Sequence, residues 1–147
     1  MKHGMTASQL PDAIADCVNA YYRLPKNGVD VDVLLNLQRR LSGLKYAFAV
    51  EVGKMYAERN AAEFARKAEF SRRRHDLVAN GATVAKAESE AQAEVLALLD
   101  AEQKADAAYK AGNLILDSAA DVMRALSQQI ANLRQERREE MAGAGSQ

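Results

Sequence analysis

The spacing of apolar residues along the chain predicts two very long helices. The first is capped by Asp30, begins near Val31 and ends at about Ala79, where Asn80 and Gly81 suit a turn. Its apolar positions first alternate three and four residues apart, as in a coiled-coil seam, and then follow a longer average period. They are Leu34, Leu37, Leu41, Leu44 and Phe48, followed by Val52, Tyr56, Ala61, Phe64, Ala68 and Val78.

A second helical pattern starts after Thr83, which suits a helix cap, and runs without proline to about residue 141. Glu102 and Gly112 interrupt its apolar seam. A glutamate in a seam requires a basic partner, and the basic residues of the first helix are the nearest candidates. The last residues, from Ala142 onwards, are expected to be a flexible end. The seam consists of Ala91, Val95, Leu98, Ala105, Tyr109, Leu116, Ala119, Met123, Leu126, Ile130 and Leu133.

These patterns predict an all-α protein with one helical domain over residues 1–147. A short amphipathic helix and linker occupy 1–28, with Pro11 in the first turn, and the long helices occupy 30–80 and 83–141. We expect the long helices to form an antiparallel, coiled-coil-like hairpin. Glycines at 43, 53 and 112 leave open whether the helices are continuous or broken.

One hairpin cannot bury all the apolar surface of two such helices, so we expect a homo-oligomer. Leu114, Ile115 and Leu116 are consecutive and therefore point in different directions around the helix. The residues predicted to form the oligomer contact, in the carboxy-terminal segment, are Leu116, Met123, Leu126, Ile130 and Leu133.

The composition is typical of long helices and reduces the classes of function that we expect. The chain is 48% hydrophobic but only 5% aromatic, and its net charge is zero. A single cysteine excludes an internal disulfide and fits a reducing compartment, and no apolar run is long enough to span a bilayer, so we expect a soluble intracellular protein. We find no metal-ligand cluster, glycine-rich phosphate loop or nucleophile motif, and therefore expect neither an enzyme nor a cofactor.

The charges are distributed unevenly around the predicted turn. Residues 59–75 hold six basic and two acidic side chains, a net charge of +4, whereas residues 76–106 hold seven acids and two lysines, a net charge of −5. On a helix Arg59, Arg66 and Arg73 share a face, with Phe70 nearby, and such a basic and aromatic face suits single-stranded nucleic acid. The predicted nucleic-acid-binding residues are Lys54, Arg59, Arg66, Lys67, Phe70, Arg72, Arg73, Arg74 and His75.

The chain also resembles the UvsY-type recombination mediators of tailed bacteriophages. The likeness lies in Ala65-Arg66 followed by Phe70-Ser71 and in Lys104-Ala105-Asp106, Ile115-Leu116-Asp117, Asp121, Ser127, Ile130 and Arg134. This resemblance implies a small helical protein that forms rings, binds single-stranded DNA through Arg66 and the neighbouring aromatic, and helps load a recombinase onto strands coated by single-strand-binding protein. It also implies the cytoplasm of a bacterial host, if the chain is phage-encoded.

Two other functions remain open at this point. The acidic block can neutralise the basic run within the protein, and the chain would then be a structural or scaffolding coiled-coil oligomer without nucleic acid. Alternatively, it is an adaptor that binds a partner helix, with the amino-terminal helix as the recognition segment.

Overall fold

The computed structural model describes residues 4–146, and all of its regular elements are helical. A 3-10 turn at Ala7–Gln9 leads into α1 (Leu10–Tyr22), which is followed by α2 (Val31–Ala79), α3 (Val84–Glu94) and α4 (Leu96–Gly145). The predicted all-α class is confirmed. The first three residues of the predicted amino-terminal segment and the last residue of the tail lie outside the described residues.

The first long helix has the predicted bounds and is continuous through Gly43 and Gly53. The helix ends in a turn at Asn80 and Gly81, as this pair of residues predicts. Gly81 has a φ of 94°, the Ala82 N–H donates to the Leu77 carbonyl at 3.0 Å, and the Gly81 N–H donates to the Val78 carbonyl at 3.0 Å. These two bonds form a Schellman motif, in which the left-handed residue is most often glycine.

The second helical pattern, predicted as one helix over 83–141, consists of two helices, because a break at Val95 separates α3 from α4. Thr83 caps α3 as expected, since its hydroxyl accepts from the Lys86 N–H at 3.3 Å. No proline or glycine lies near Val95, and we find no local sequence signal for the break. At the other end, α4 continues to Gly145, beyond the predicted bound at about residue 141.

The chain divides into two compact units, and both long helices contribute to each. The first unit takes the described residues up to Glu51 together with those from Leu114 onwards. Its core joins α1, the first part of α2 and the last part of α4. The buried side chains are Leu10, Ala13, Ile14, Cys17, Leu34, Leu41, Phe48, Ala119, Val122, Leu126 and Ile130.

In this unit the predicted seam is confirmed at Leu34, Leu41 and Phe48, which are fully buried at seven-residue spacing. The two long helices also share a polar contact there, because Gln38 Nε2 donates to Ser127 Oγ at 2.8 Å. Fully burying an apolar side chain contributes about 1.5–3 kcal/mol, so this core is the main apolar support of the unit.

The second unit spans Val52–Asn113 and has a much smaller apolar core. Its buried apolar side chains are Val52, Ala87, Ala91 and Val95. The predicted continuation of the α2 stripe into this unit is wrong at Tyr56, Phe64 and Val78, which are exposed. The positions that face the neighbouring helices are instead occupied by arginines, as described below.

Within residues 4–146, no helix combines the length and the apolar character that a membrane crossing requires.

Candidate nucleic-acid interface

The basic run lies on the part of α2 that belongs to the second unit, and four of its arginines pair with acids of α3 and α4. These contacts connect residues far apart in sequence and therefore hold separate helices together. The pairs are Arg59 with Asp106 at 2.7 Å, Arg66 with Glu102, Arg73 with Glu94 at 3.1 Å, and Arg74 with Glu88 at 3.2 Å.

Arg59 lies beside an aromatic ring as well as beside its acid. Its guanidinium carbon lies 5.7 Å from the centre of the Tyr109 ring, and that ring lies 5.3 Å from the ring of Tyr56. Asp106 also contacts Lys110 at 2.6 Å. The hydrogen bond from Lys110, supported by the charge of Arg59, lowers the pKa of the Asp106 carboxyl.

Arg66 and Glu102 are both largely covered by neighbouring side chains. Glu102 is the acid that interrupts the predicted apolar seam, and the predicted basic partner for it from the first helix is confirmed. The hydrogen bond to Glu102 raises the pKa of the Arg66 guanidinium. An arginine in this setting holds two helices together, and most of its surface is unavailable to a ligand.

The arginines at the end of the run are more exposed than the first two. The side chains of Arg72, Arg73 and Arg74 are 53%, 45% and 44% exposed, respectively. Arg72 contacts Glu69 at 2.7 Å, and Arg73 contacts the same carboxylate at 2.9 Å. Hydrogen bonds from Arg72 and then Arg73 lower the pKa of Glu69 to about 2.

The other predicted binding residues are divided between surface and interior. Lys67 pairs with Glu63 one turn earlier, Lys54 and His75 are exposed, and Phe70 is half-buried. Phe70 and Arg66 line a hollow of about 370 Å³ together with residues of α3 and α4. Phe70 therefore lies beside Arg66, as its spacing predicts, but mainly against the chain's own helices.

Neither a protein-family model, nor a curated protein, nor a solved structure matches this chain. Residues 59–75 hold six bases and two acids, and residues 76–106 hold seven acids and two lysines, so the two net charges of +4 and −5 sum to −1. The surface formed by both blocks together carries no excess of positive charge that would attract a polyanion.

The residues predicted to form the oligomer contact lie in the first unit. Leu126 and Ile130 are buried in the core of the single chain, whereas Leu116, Met123 and Leu133 are half-buried. The first two can reach a second chain only if the core rearranges. The strongly exposed apolar side chains are elsewhere, and they include Tyr46 and Phe64 on α2, which are 76% and 75% exposed.

The seven-residue spacing of Arg59, Arg66 and Arg73 was a sequence signal for packing as well as for binding. Leu34, Leu41 and Phe48 repeat with the same spacing, and these residues face the core. The acids that complete the interface, Asp106 and Glu102, are four residues apart, which places them on one face of α4. These spacings place each set of residues on one helix face, but they do not give the register between α2 and α4 that forms the pairs.

Proposed function

We propose that this protein is a structural or scaffolding protein that assembles through its helices, and that the basic run stabilises its own fold. The observation that carries this proposal is the set of four pairs that join Arg59, Arg66, Arg73 and Arg74 to acids of α3 and α4. Each of these arginines already pairs with a carboxylate, which takes the place that a phosphate would occupy.

We infer that α2 and α4 are antiparallel, as a helical hairpin requires. The support is the order of the contacts within the second unit. As the arginine moves forward along α2 from Arg59 to Arg66, its acid moves backward along α4 from Asp106 to Glu102. The Schellman turn at Gly81 supports the same inference, because it ends α2 and lets the chain change direction.

Self-assembly is supported by the apolar side chains that the single chain leaves in solvent. Tyr46, Phe64, Leu96 and Leu114 are all more than half exposed. Apolar side chains that the single chain leaves in solvent are available for contacts with a second copy. We therefore propose a homo-oligomer, in which these residues rather than Leu126 and Ile130 face a second copy.

Light scattering coupled to size-exclusion chromatography tests this assembly. The single chain has a mass of 16.0 kDa, and we expect a multiple of that mass in the absence of nucleic acid. The Tyr46→Ser/Phe64→Ser variant should shift the distribution toward the single chain, whereas Lys86→Ser/Lys104→Ser, which changes two exposed charged residues, should not. A wild-type protein that elutes at 16.0 kDa throughout the micromolar range would rule out the assembly.

A single-stranded DNA-binding recombination mediator is the second candidate. It would act in phage homologous recombination, in the cytoplasm of a bacterial host, as a ring that binds single strands together with a recombinase and single-strand-binding protein. The observation that favours it is the exposure of Arg72, Arg73 and Arg74. Exposed ion pairs are weak, so phosphates can compete with Glu69 for Arg72 and Arg73 and with Glu88 for Arg74.

Salt-titrated fluorescence anisotropy with a labelled oligothymidylate distinguishes the two candidates. Neutralising about three phosphates per protomer would give a log–log salt slope near −2, because each contact on a single strand contributes about −0.7. The Arg72→Gln/Arg73→Gln/Arg74→Gln variant should then lose most of that slope. Lys86→Gln/Lys104→Gln/Lys110→Gln is the matched control, since it also removes three exposed cations. If both variants lost the same part of the salt slope, or if the protein did not bind the oligothymidylate, the result would favour the scaffolding function.

A further inference from the structure

A groove between α2 and α4 in the first unit is lined by several hydrogen-bond donors. None of them belongs to the basic run of residues 59–75. The volume of the groove is about 680 Å³, and it is open to solvent along its length. The side chains that line it are Lys45, Ala120, Met123, Arg124, Ser127 and Gln128. No acidic side chain lines it.

Lys45 is the central observation. Its side chain is half-buried, and within residues 4–146 it has no acidic partner, in contrast to the arginines of the second unit. A lysine ammonium that contacts no carboxylate keeps its three N–H donors available to a ligand. The groove therefore contains a cation whose counter-charge the described part of the chain does not supply.

The remaining polar groups of the groove also have donor capacity left. Gln38 donates to the Ser127 hydroxyl oxygen, so the hydroxyl proton of Ser127 remains available to a ligand. Gln128 donates one of its two amide hydrogens to Asn132 at 3.1 Å. Arg124 pairs with Asp121 on its own helix, which occupies part of a guanidinium that carries five N–H donors.

The same edge of α4 continues beyond the groove with further cations. Arg134 lies seven residues after Ser127, and Arg138 lies seven residues after Ala131, so helical geometry places them on the side of α4 that carries Ser127. Both are exposed, and neither has an ion pair within residues 4–146. Two further cations therefore lie along this side of α4 beyond the groove.

We propose that this groove binds phosphate groups, with Lys45 and Arg124 as the charged contacts and Ser127 and Gln128 as neutral donors. The phosphate can come from a nucleic-acid strand or from a small phosphorylated molecule. This site is separate from the basic run of residues 59–75. The groove can bind phosphate whether or not the protein has the proposed scaffolding function.

Two binding assays on the protein of residues 1–147 distinguish the two sources. Anisotropy with a labelled oligothymidylate measures strand binding, and isothermal titration calorimetry with inorganic tripolyphosphate measures binding of a small polyphosphate. The Lys45→Gln/Arg124→Gln variant should weaken whichever probe binds by about tenfold or more, because hydrogen bonds to charged groups contribute strongly. For the oligothymidylate, losing two phosphate contacts should also make the log–log salt slope less negative by about 1.4.

Three controls make the result specific. Lys86→Gln/Lys104→Gln removes two exposed lysines of the second unit and should leave the affinity unchanged. Lys45→Arg keeps the charge and should retain binding, and unchanged helical circular dichroism should show that each variant is folded. Binding of neither probe, or an equal loss in the lysine control, would overturn the proposal. A loss only in Arg72→Gln/Arg73→Gln/Arg74→Gln would overturn it too, and would place the phosphates on the basic run.

Discussion

Alanine at Gly43 and Gly53 should stabilise the protein. Both residues lie inside α2, and a Cβ atom added at either position would meet no atom within 4 Å apart from the helix's own nearby backbone. Glycine in a helix interior costs about 1 kcal/mol relative to alanine. The two sites are ten residues, or about 15 Å, apart along the helix, so their effects should add. The double variant should therefore gain about 2 kcal/mol of unfolding free energy.

Urea denaturation followed by circular dichroism measures this gain, and thermal denaturation should show a rise of roughly 4–8 °C for a chain of this size. Gly81→Ala is a control that should change the stability in the opposite direction. Its φ of 94° lies in the left-handed region, where an L side chain costs about 1–2 kcal/mol, so this variant should be less stable. If Gly43→Ala/Gly53→Ala instead lost stability, the added methyl groups would have to meet atoms of another chain, and the open face of α2 would be a contact surface.

Two further changes test the core and the surface pairs. Phe48→Ala should cost about 3–5 kcal/mol, because Phe48 is only 2% exposed, whereas Phe64→Ala should change the unfolding free energy of the single chain little; urea denaturation compares the two. The pKa of Glu69 is lowered from 4.5 to about 2 by Arg72 and Arg73, so its stabilisation is complete above pH 4.5 and disappears as the pH falls toward 2. Helical circular dichroism should decrease across that window, and Arg72→Gln/Arg73→Gln should move the decrease to higher pH.

Features that depend on neighbouring residues in the sequence could be predicted. The bounds of α2, the turn at Gly81 and the cap at Thr83 follow from local backbone preferences, and all three are confirmed. The break at Val95 has no such signal. The predicted apolar seam continues through Val95, which is buried, so apolar spacing does not mark the break.

The direction in which the arginines point could not be predicted from α2 alone. A seven-residue repeat places Arg59, Arg66 and Arg73 on one face, but the same repeat fits a face toward solvent and a face toward a neighbouring helix. The choice depends on the register between α2 and α4, which is a long-range property. Glu102 was the one residue that indicated the answer in advance, because an acid in an apolar seam requires a cation.

The unequal cores of the two units have a consequence for α2, which contributes to both. The first unit buries large side chains such as Leu34, Leu41 and Phe48, whereas the second buries mainly alanine and valine. Local opening costs less free energy where little apolar surface is buried, and backbone amides then exchange with solvent sooner. Deuterium should therefore enter the carboxy-terminal half of this uninterrupted helix first, and raising the salt concentration, which screens the arginine pairs, should widen the difference.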